Sequence, residues 1–209
     1  MGCSQQTEEN MENRLLKRMA SSERFGDTFW SFFTDHVAAK LSNAPTVVDI
    51  GCGAGRFLED FRFLYPDATL YGYDKAPEMI AQSRGLQFSD DIAKFYLHDV
   101  TVEPLSLASE SVDLVVMSAV LYLVEDPLQV LMEVKRLLKP RDGIFLFSDW
   151  TRTTIKNYVG SRLKNIPREQ VDQARHLWVS LFPVHNRYSV QDWKWLMSTA
   201  GFRLIGSDK

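Results

Sequence analysis

The chain has 209 residues, with 24 Lys and Arg against 27 Asp and Glu, a net charge of −3, and 45% hydrophobic residues. That balance excludes a broad nucleic-acid footprint, which needs a basic face, and the hydrophobic share suits a single globular domain with a full core. Two cysteines, Cys3 and Cys52, are too few for a disulfide framework and fit a reducing, cytoplasmic setting.

No apolar run reaches the roughly 20 residues of a bilayer span. The start, "MGCSQQTEENMENR", lacks the apolar core of a secretory signal. Gly2 and Cys3 fit a lipidated terminus, but Gln6 stands where myristoylation wants Ser or Thr. The expectation is therefore no membrane attachment. Residues 9–41 read as helical, and Phe29, Trp30, Phe32, Phe33, Val37 and Leu41 give them an aromatic face. "SNAPT" breaks this segment.

An alternation follows. "TVVDI", "ATLYGYD", "KFYLHDV", "SVDLVVMS" and "GIFLFSDW" read as strands. "GRFLEDFRFLYP", "APEMIAQSR" and "DPLQVLMEVKRLLKP" read as helices, the last with Asp126 as N-cap and Pro127 at its first position. Strands alternating with helices predict an α/β fold, a doubly wound and mostly parallel sheet with helices on both faces. Over residues 151–188 the pattern lapses, and "REQVDQARHLWVSLF" offers one amphipathic helix. Ser189 and Asp192 form a capping-box-like pair before "WKWLMSTAG", and "FRLIGS" reads as a last strand. The expected organisation is one domain: a helical cap (1–45), a cofactor-binding core (46–150), a helical lid or insertion (151–188), and a last helix and strand (189–209).

The first βα turn of such a sheet is the usual ligand site, and "DIGCGAGR" occupies it. Two readings compete. A nicotinamide site needs G-x-G-x-x-G; Gly51 and Gly53 fit, but Arg56 takes the sixth position. Asp49, two residues before the first glycine, would oppose a pyrophosphate and suit a cationic ligand. A ribose-binding acid is expected about 20 residues beyond the glycines, and Asp74 falls there. Asp99 closes the next strand, where a carboxylate can accept from an adenine amino group.

With "VVDIGCGAG", "LYGYDKAPEMI", "LHDV", "SVDLVVMSAVLYLVEDP" and "VLMEVKRLLKPRDGIFLF" in this order, the chain resembles the class I S-adenosylmethionine-dependent methyltransferases, and among them the small-molecule, type 11-like group. The resemblance runs over residues 46–207. It implies a Rossmann-like methyltransferase fold and S-adenosyl-L-methionine as cofactor, with S-adenosyl-L-homocysteine as product. It implies that Gly51, Cys52, Gly53 and Gly55 pass along the methionine part and ribose, with Asp49 near the charged amine. Asp74 would take the ribose hydroxyls, Lys75 and Met79 would flank the adenine, and Asp99 with Val100 would bind its edge. Ser118 would sit by the methionine amine, and Tyr122 near the transferred methyl. The family's sheet ends with a further strand after "GFRLI"; this chain stops at Lys209, so that terminal strand is missing or the sequence is cut short.

The acceptor side is expected among Trp30, Phe33, Tyr122, Trp150, Tyr158, Phe182, His185 and Tyr188, with His185 and Tyr122 as the catalytic candidates, Asp149 behind His185, and Arg152, Arg162 and Arg187 available to an acidic acceptor. "SAVLYL" after the fourth strand lacks the Pro-Pro motif that marks methylation of base or amide amino groups in this family. The favoured function is methyl transfer to a small-molecule acceptor by direct displacement, with no metal and no nucleic-acid partner. The alternatives are a methyltransferase-like binding or regulatory module without turnover, and a nicotinamide oxidoreductase.

Overall fold

The strand at Thr46–Ile50 (β1) explains the centre of the molecule. Val47, Val48 and Ile50 are all buried, and a strand buried on both faces needs covering layers above and below. The computed structural model describes residues 25–86 and 93–208. Among them, β2 (Thr69–Asp74), β3 (Ala93–Leu97), β4 (Leu114–Ser118) and β5 (Ile144–Ser148) join β1 in one sheet of order β3-β2-β1-β4-β5, every pair parallel. The strand order reverses between β1 and β4, which opens a crevice at their carboxyl ends.

Side chains alternate between the two faces. Val47, Leu70, Leu114, Val116 and Leu146 face one layer, formed by α1 (Asp27–His36) and α2 (Arg56–Leu64) through Phe33, Phe57, Leu58 and Phe61. Val48, Ile50, Val115 and Met117 face the other, formed by α4 (Pro127–Leu137) and the C-terminal α7 (Val190–Thr199) through Val130, Val134, Trp193 and Leu196. The short α3 (Pro77–Arg84) adds Ile80 to the first layer. The expected doubly wound sheet is present.

The capping signals hold. Asp126 accepts hydrogen bonds from the Leu128 and Gln129 N–H groups at the start of α4. Ser189 and Asp192 form a reciprocal capping box on α7. Asp113 is structural: it accepts from the Thr46 N–H at 2.9 Å and pairs with Lys139 at 2.7 Å, tying β1 to the segment before β4.

Three expectations change. The lapse at 151–188 holds two helices, α5 (Ile155–Leu163) and α6 (Val171–His185); α5 is hard to see because Gly160 and exposed polar residues blur its apolar stripe. "FRLIGS" forms no strand. Phe202 packs on Phe145 at 5.3 Å on one face of the sheet, while a Cβ on Gly206 would lie 2.8 Å from the His36 ring of α1 on the other. The segment thus passes around the β5 edge instead of along it, leaving Leu204 and Ile205 60% and 44% exposed. An alternating pattern makes a strand only where a neighbouring ladder takes its backbone groups. Of the helix expected over residues 9–41, the described part is α1 and a short 3₁₀ turn, Ala38–Lys40; residues 1–24, with Gly2, Cys3 and Gln6, lie outside the described residues. No helix among the described residues is long and apolar enough to cross a membrane.

Candidate active site

The glycine turn is built by φ values that only glycine adopts easily: +74° at Gly51, +53° at Gly53 and +82° at Gly55. The N–H groups of Gly51 and Cys52 both donate to the Tyr73 carbonyl, at 2.7 and 3.0 Å, which ties the turn to the end of β2. The three glycines differ in surroundings. A Cβ on Gly51 would lie 2.2 Å from the Val120 side chain, and one on Gly55 would press on Leu86 and Phe95. A Cβ on Gly53 would meet nothing within 4 Å. Gly53 therefore presents bare backbone to open space, as close approach of a ligand requires.

Two carboxylates stand at the ends of the neighbouring strands, β2 and β3. Asp74 ends β2; its Oδ2 accepts from the Gly53 N–H at 2.8 Å and its Oδ1 from the Ala76 N–H at 2.9 Å. Asp99 follows β3, and its Oδ1 accepts from the Thr101 hydroxyl at 2.6 Å and the Thr101 N–H at 3.0 Å. The Thr101 hydroxyl outweighs burial and, with Lys75, holds the Asp99 carboxyl below the usual carboxylate range. Asp99 is thus an acceptor at neutral pH with Oδ1 anchored, and Val100 is half-buried beside it. Asp49 is buried at the end of β1, Ser118 at the end of β4, and Met79 on α3; Lys75 is exposed. Burial pushes the Cys52 thiol up, and Asp49 and Asp74 add to the effect, so Cys52 is a small protonated residue that fits the turn. Its sulfur lies 2.9 Å from where a Gly72 Cβ would stand.

Beyond the crevice, the chain after β4 turns through Leu121–Leu123 and buries Tyr122. Asp149, just after β5, accepts from the Tyr122 N–H at 3.2 Å and the Trp150 N–H at 2.7 Å. Above this turn sits an aromatic cluster. His185 Nδ1 is 2.6 Å from the Tyr158 hydroxyl, its ring meets Tyr122 edge-on at 4.8 Å, and Trp150 stacks parallel to it at 5.9 Å. Phe182 packs on Tyr158 at 5.3 Å, as does Trp178 at 6.2 Å. Tyr188 packs on Trp193, whose Nε1 donates to the Trp150 carbonyl. Tyr122, Trp150, Tyr158, Phe182 and His185 thus gather in one place, Tyr188 packs with Trp193, and two of the aromatic residues expected there lie elsewhere. Phe33 is fully buried against Phe61 and Tyr65, and Trp30 stacks on Phe57 at 5.8 Å, so both belong to the core between α1 and α2. The aromatic face of α1 follows the sheet, and Trp178 of α6 finds its partner in α5 instead. His98 is an edge residue whose Nε2 lies 2.9 Å from the Glu103 carbonyl oxygen. Two contributors left no sequence signal: Thr101, which anchors Asp99, and Val120, which fills the space behind Gly51.

Burial, reinforced by the Arg162 charge, lowers the His185 imidazole from 6.5 to about 4. Between these values the unfolded chain binds a proton that the folded chain refuses. The contribution of His185 to stability is therefore full above pH 6.5 and falls away as the pH drops towards 4. His185→Gln should flatten that part of the acid limb in urea denaturation at stepped pH. A wild-type slope in the variant would assign the proton uptake elsewhere.

An open parallel sheet with a glycine turn after its first strand, and acids closing the second and third, defines a domain that binds a nucleoside-containing cofactor at the switch point. The chain belongs to the methyltransferase-domain family, whose model matches residues 22–206. S-adenosylmethionine is the cofactor of these enzymes, and the bare Gly53 backbone with the flanking Asp74 and Asp99 fits a ligand that carries ribose hydroxyls and an amino-bearing base. Among curated relatives, the chain is 26% identical over 163 residues to a malonyl-[acyl-carrier protein] O-methyltransferase of Paenibacillus sp. (strain JDR-2), covering 77% of this chain and 56% of that protein. It is 32% identical over 113 residues to a thiol S-methyltransferase of Rattus norvegicus, covering 51% and 43%. The chain spans about half the length of the curated relatives it matches. Among solved structures, it resembles an S-adenosylmethionine-dependent methyltransferase from Aquifex aeolicus in fold, with a TM-score of 0.62 at 20% identity over 91% of this chain and 88% of that one. It also resembles a complex of the Haloferax volcanii Trm112 methyltransferase activator with a methyltransferase, with a TM-score of 0.59 at 25% identity over 85% and 70%.

Proposed function

We propose that this chain transfers a methyl group from S-adenosylmethionine to a small-molecule acceptor held between the carboxyl ends of β4 and β5 and the α5–α6 helices. What supports the reading is that the open glycine turn with Asp74 follows β1 and β2 while the aromatic cluster around Tyr122 follows β4 and β5, all at the carboxyl ends of one parallel sheet. Val120, packed against Gly51 two residues before Tyr122, links them.

S-adenosylmethionine supplies an electrophilic methyl on a sulfonium leaving group. The residues' work is alignment, which can contribute several kcal/mol through effective molarity. Asp74 takes the ribose hydroxyls and Asp99 the adenine amino group, while Gly51, Cys52, Gly53 and Gly55 pass the methionine part with Asp49 and Ser118 near its amine. Tyr122, fixed by Asp149, faces the acceptor. His185 favours a positioning role over that of a base: its Nδ1 is engaged by Tyr158, and an imidazole lowered to about 4 holds a proton poorly at neutral pH. The names of the relatives, one acting on a carboxyl-bearing acyl group held by a carrier protein and one on a thiol, support an acceptor with an anionic or readily deprotonated nucleophile.

Calorimetry should show micromolar binding of S-adenosylhomocysteine. Incubation with labelled S-adenosylmethionine and a metabolite extract should yield a labelled small molecule by mass spectrometry. A folded chain that binds no S-adenosylhomocysteine would overturn the reading. Binding without transfer to any extract component would favour a module without turnover.

A further inference from the structure

We propose that Arg162 is the specificity-determining residue of the acceptor site, and that it binds a carboxylate on a small acceptor whose remaining body is aromatic or apolar. The proposal rests on the acceptor-side reading above and names the chemistry that side selects.

Three arginines surround the aromatic cluster, and their engagement differs. Arg152 donates to the Arg187 carbonyl at 2.6 Å. Arg187 donates to the Val124 carbonyl at 3.1 Å and to that of Tyr122 at 3.4 Å. Both hold loops together. Arg162 donates through Nη1 to the Tyr158 carbonyl at 3.0 Å, but its Nη2 is enclosed and has no hydrogen-bond partner among the described residues. None of the ion pairs among the described residues includes it. Its guanidinium carbon instead lies over three rings, 3.7 Å from Tyr158, 4.4 Å from Trp150 and 5.1 Å from Trp178.

Ring faces attract a cation but accept no directed N–H bond of ordinary strength. A buried guanidinium nitrogen with two unused hydrogens and no counter-charge is costly unless something completes it. Burial accordingly lowers the Arg162 pKa. An acceptor's anion supplies what is missing, as a charge-assisted hydrogen bond.

Position and charge narrow the ligand. Trp150 lies just past Asp149 after β5 and Tyr122 follows β4, so the cage stands over the strand ends where ligands of this fold bind. Trp150 is 37% exposed while Tyr158 is buried, which makes the Trp150 ring the wall that a ligand displaces on entry. His185, beside Arg162, is held neutral, so the cage carries one positive charge. A carboxylate matches it one to one, whereas a phosphate dianion would bury a second, unmatched charge. Displaced Trp150 and the remaining rings then pack against an aromatic or apolar body.

The two tryptophans provide the readout. With S-adenosylhomocysteine present, phenylacetate, its neutral isostere phenylacetamide, and inorganic phosphate are titrated while tryptophan fluorescence is followed. A saturable change is expected with phenylacetate, at an affinity about tenfold or more above that for the amide, the ratio that one charge-assisted hydrogen bond supplies. Phosphate should bind more weakly than phenylacetate. Arg162→Gln should remove the difference between acid and amide, and Arg162→Lys should keep part of it. Equal response to acid and amide in the wild-type protein overturns the proposal even if the variants fail to fold. An unchanged preference in Arg162→Gln overturns it too, and tighter binding of phosphate overturns the choice of carboxylate. S-adenosylhomocysteine binding, measured separately by calorimetry, distinguishes failure of this proposal from failure of the methyltransferase reading.

Discussion

Replacing Asp74 by Ala should weaken S-adenosylhomocysteine binding by about a hundredfold or more, the largest loss expected from any single side chain of the cofactor half-site. Both carboxylate oxygens are already oriented, one by the Gly53 N–H and the other by the Ala76 N–H. Each retains capacity for a ribose hydroxyl, because a carboxylate oxygen accepts more than one bond. Two charge-assisted bonds at roughly 1.5–3 kcal/mol each correspond to more than a hundredfold in affinity. The substitution also leaves the Gly53 N–H without its acceptor, loosening the turn that the ligand approaches. Asp99→Ala should cost less, roughly tenfold, because Oδ1 is occupied by Thr101 and one bond to the adenine edge is lost. Calorimetric titration of the three proteins measures the order, with thermal unfolding as a control for folding. Equal affinity of Asp74→Ala and wild type would place the cofactor elsewhere.

Gly51→Ala and Gly53→Ala should separate stability from binding within one turn. At Gly51 a Cβ meets the Val120 side chain at 2.2 Å, and φ is +74°. Overpacking costs about 1–3 kcal/mol, and the left-handed backbone adds about 1–2 kcal/mol. The sum is a substantial fraction of a typical domain's stability. At Gly53 the φ of +53° brings the same backbone cost, but no atom stands within 4 Å of the new methyl. Gly53→Ala should therefore stay folded with a modest loss, while its methyl stands in the space reserved for the cofactor. Urea denaturation paired with S-adenosylhomocysteine titration tests both at once. If Gly53→Ala binds the ligand as tightly as wild type, the open space beside that glycine is not the cofactor path.

How far the residues of the two proposed half-sites could be placed from the sequence is uneven for a reason of range. Asp74 and Asp99 are legible because each ends a strand whose position follows from its own residues, and parallel strands in register deliver their ends to one edge. The turn at residues 51–55 is legible because its glycines report backbone conformations directly. Asp126 and the Ser189–Asp192 pair are legible because a helix cap involves neighbours two or three residues apart. In each case the interaction spans a few residues or one strand.

What the sequence alone leaves open depends on which surfaces meet. Phe29, Trp30 and Phe33 form an apolar face whichever partner they take; the fold puts Phe57 and Phe61 against them, and so removes Trp30 and Phe33 from the acceptor side. The alternation in "FRLIGS" is real, but a strand needs a ladder beside it, and here Phe202 and Gly206 lead the segment around the β5 edge instead. Arg152, Arg162 and Arg187 are chemically alike in sequence. Only the packing of α5 against α6 encloses one guanidinium in Tyr158, Trp150 and Trp178, while the other two bind loop carbonyls in the open. Local order, and the placing of the glycine turn and of Asp74 and Asp99 at neighbouring strand ends, follow from the sequence, because short-range backbone chemistry determines them. The division of the aromatic residues between the core under α1 and the cluster around His185, and the singling out of Arg162, follow from tertiary contacts, because burial is a property of the surface that arrives and not of the residue that waits.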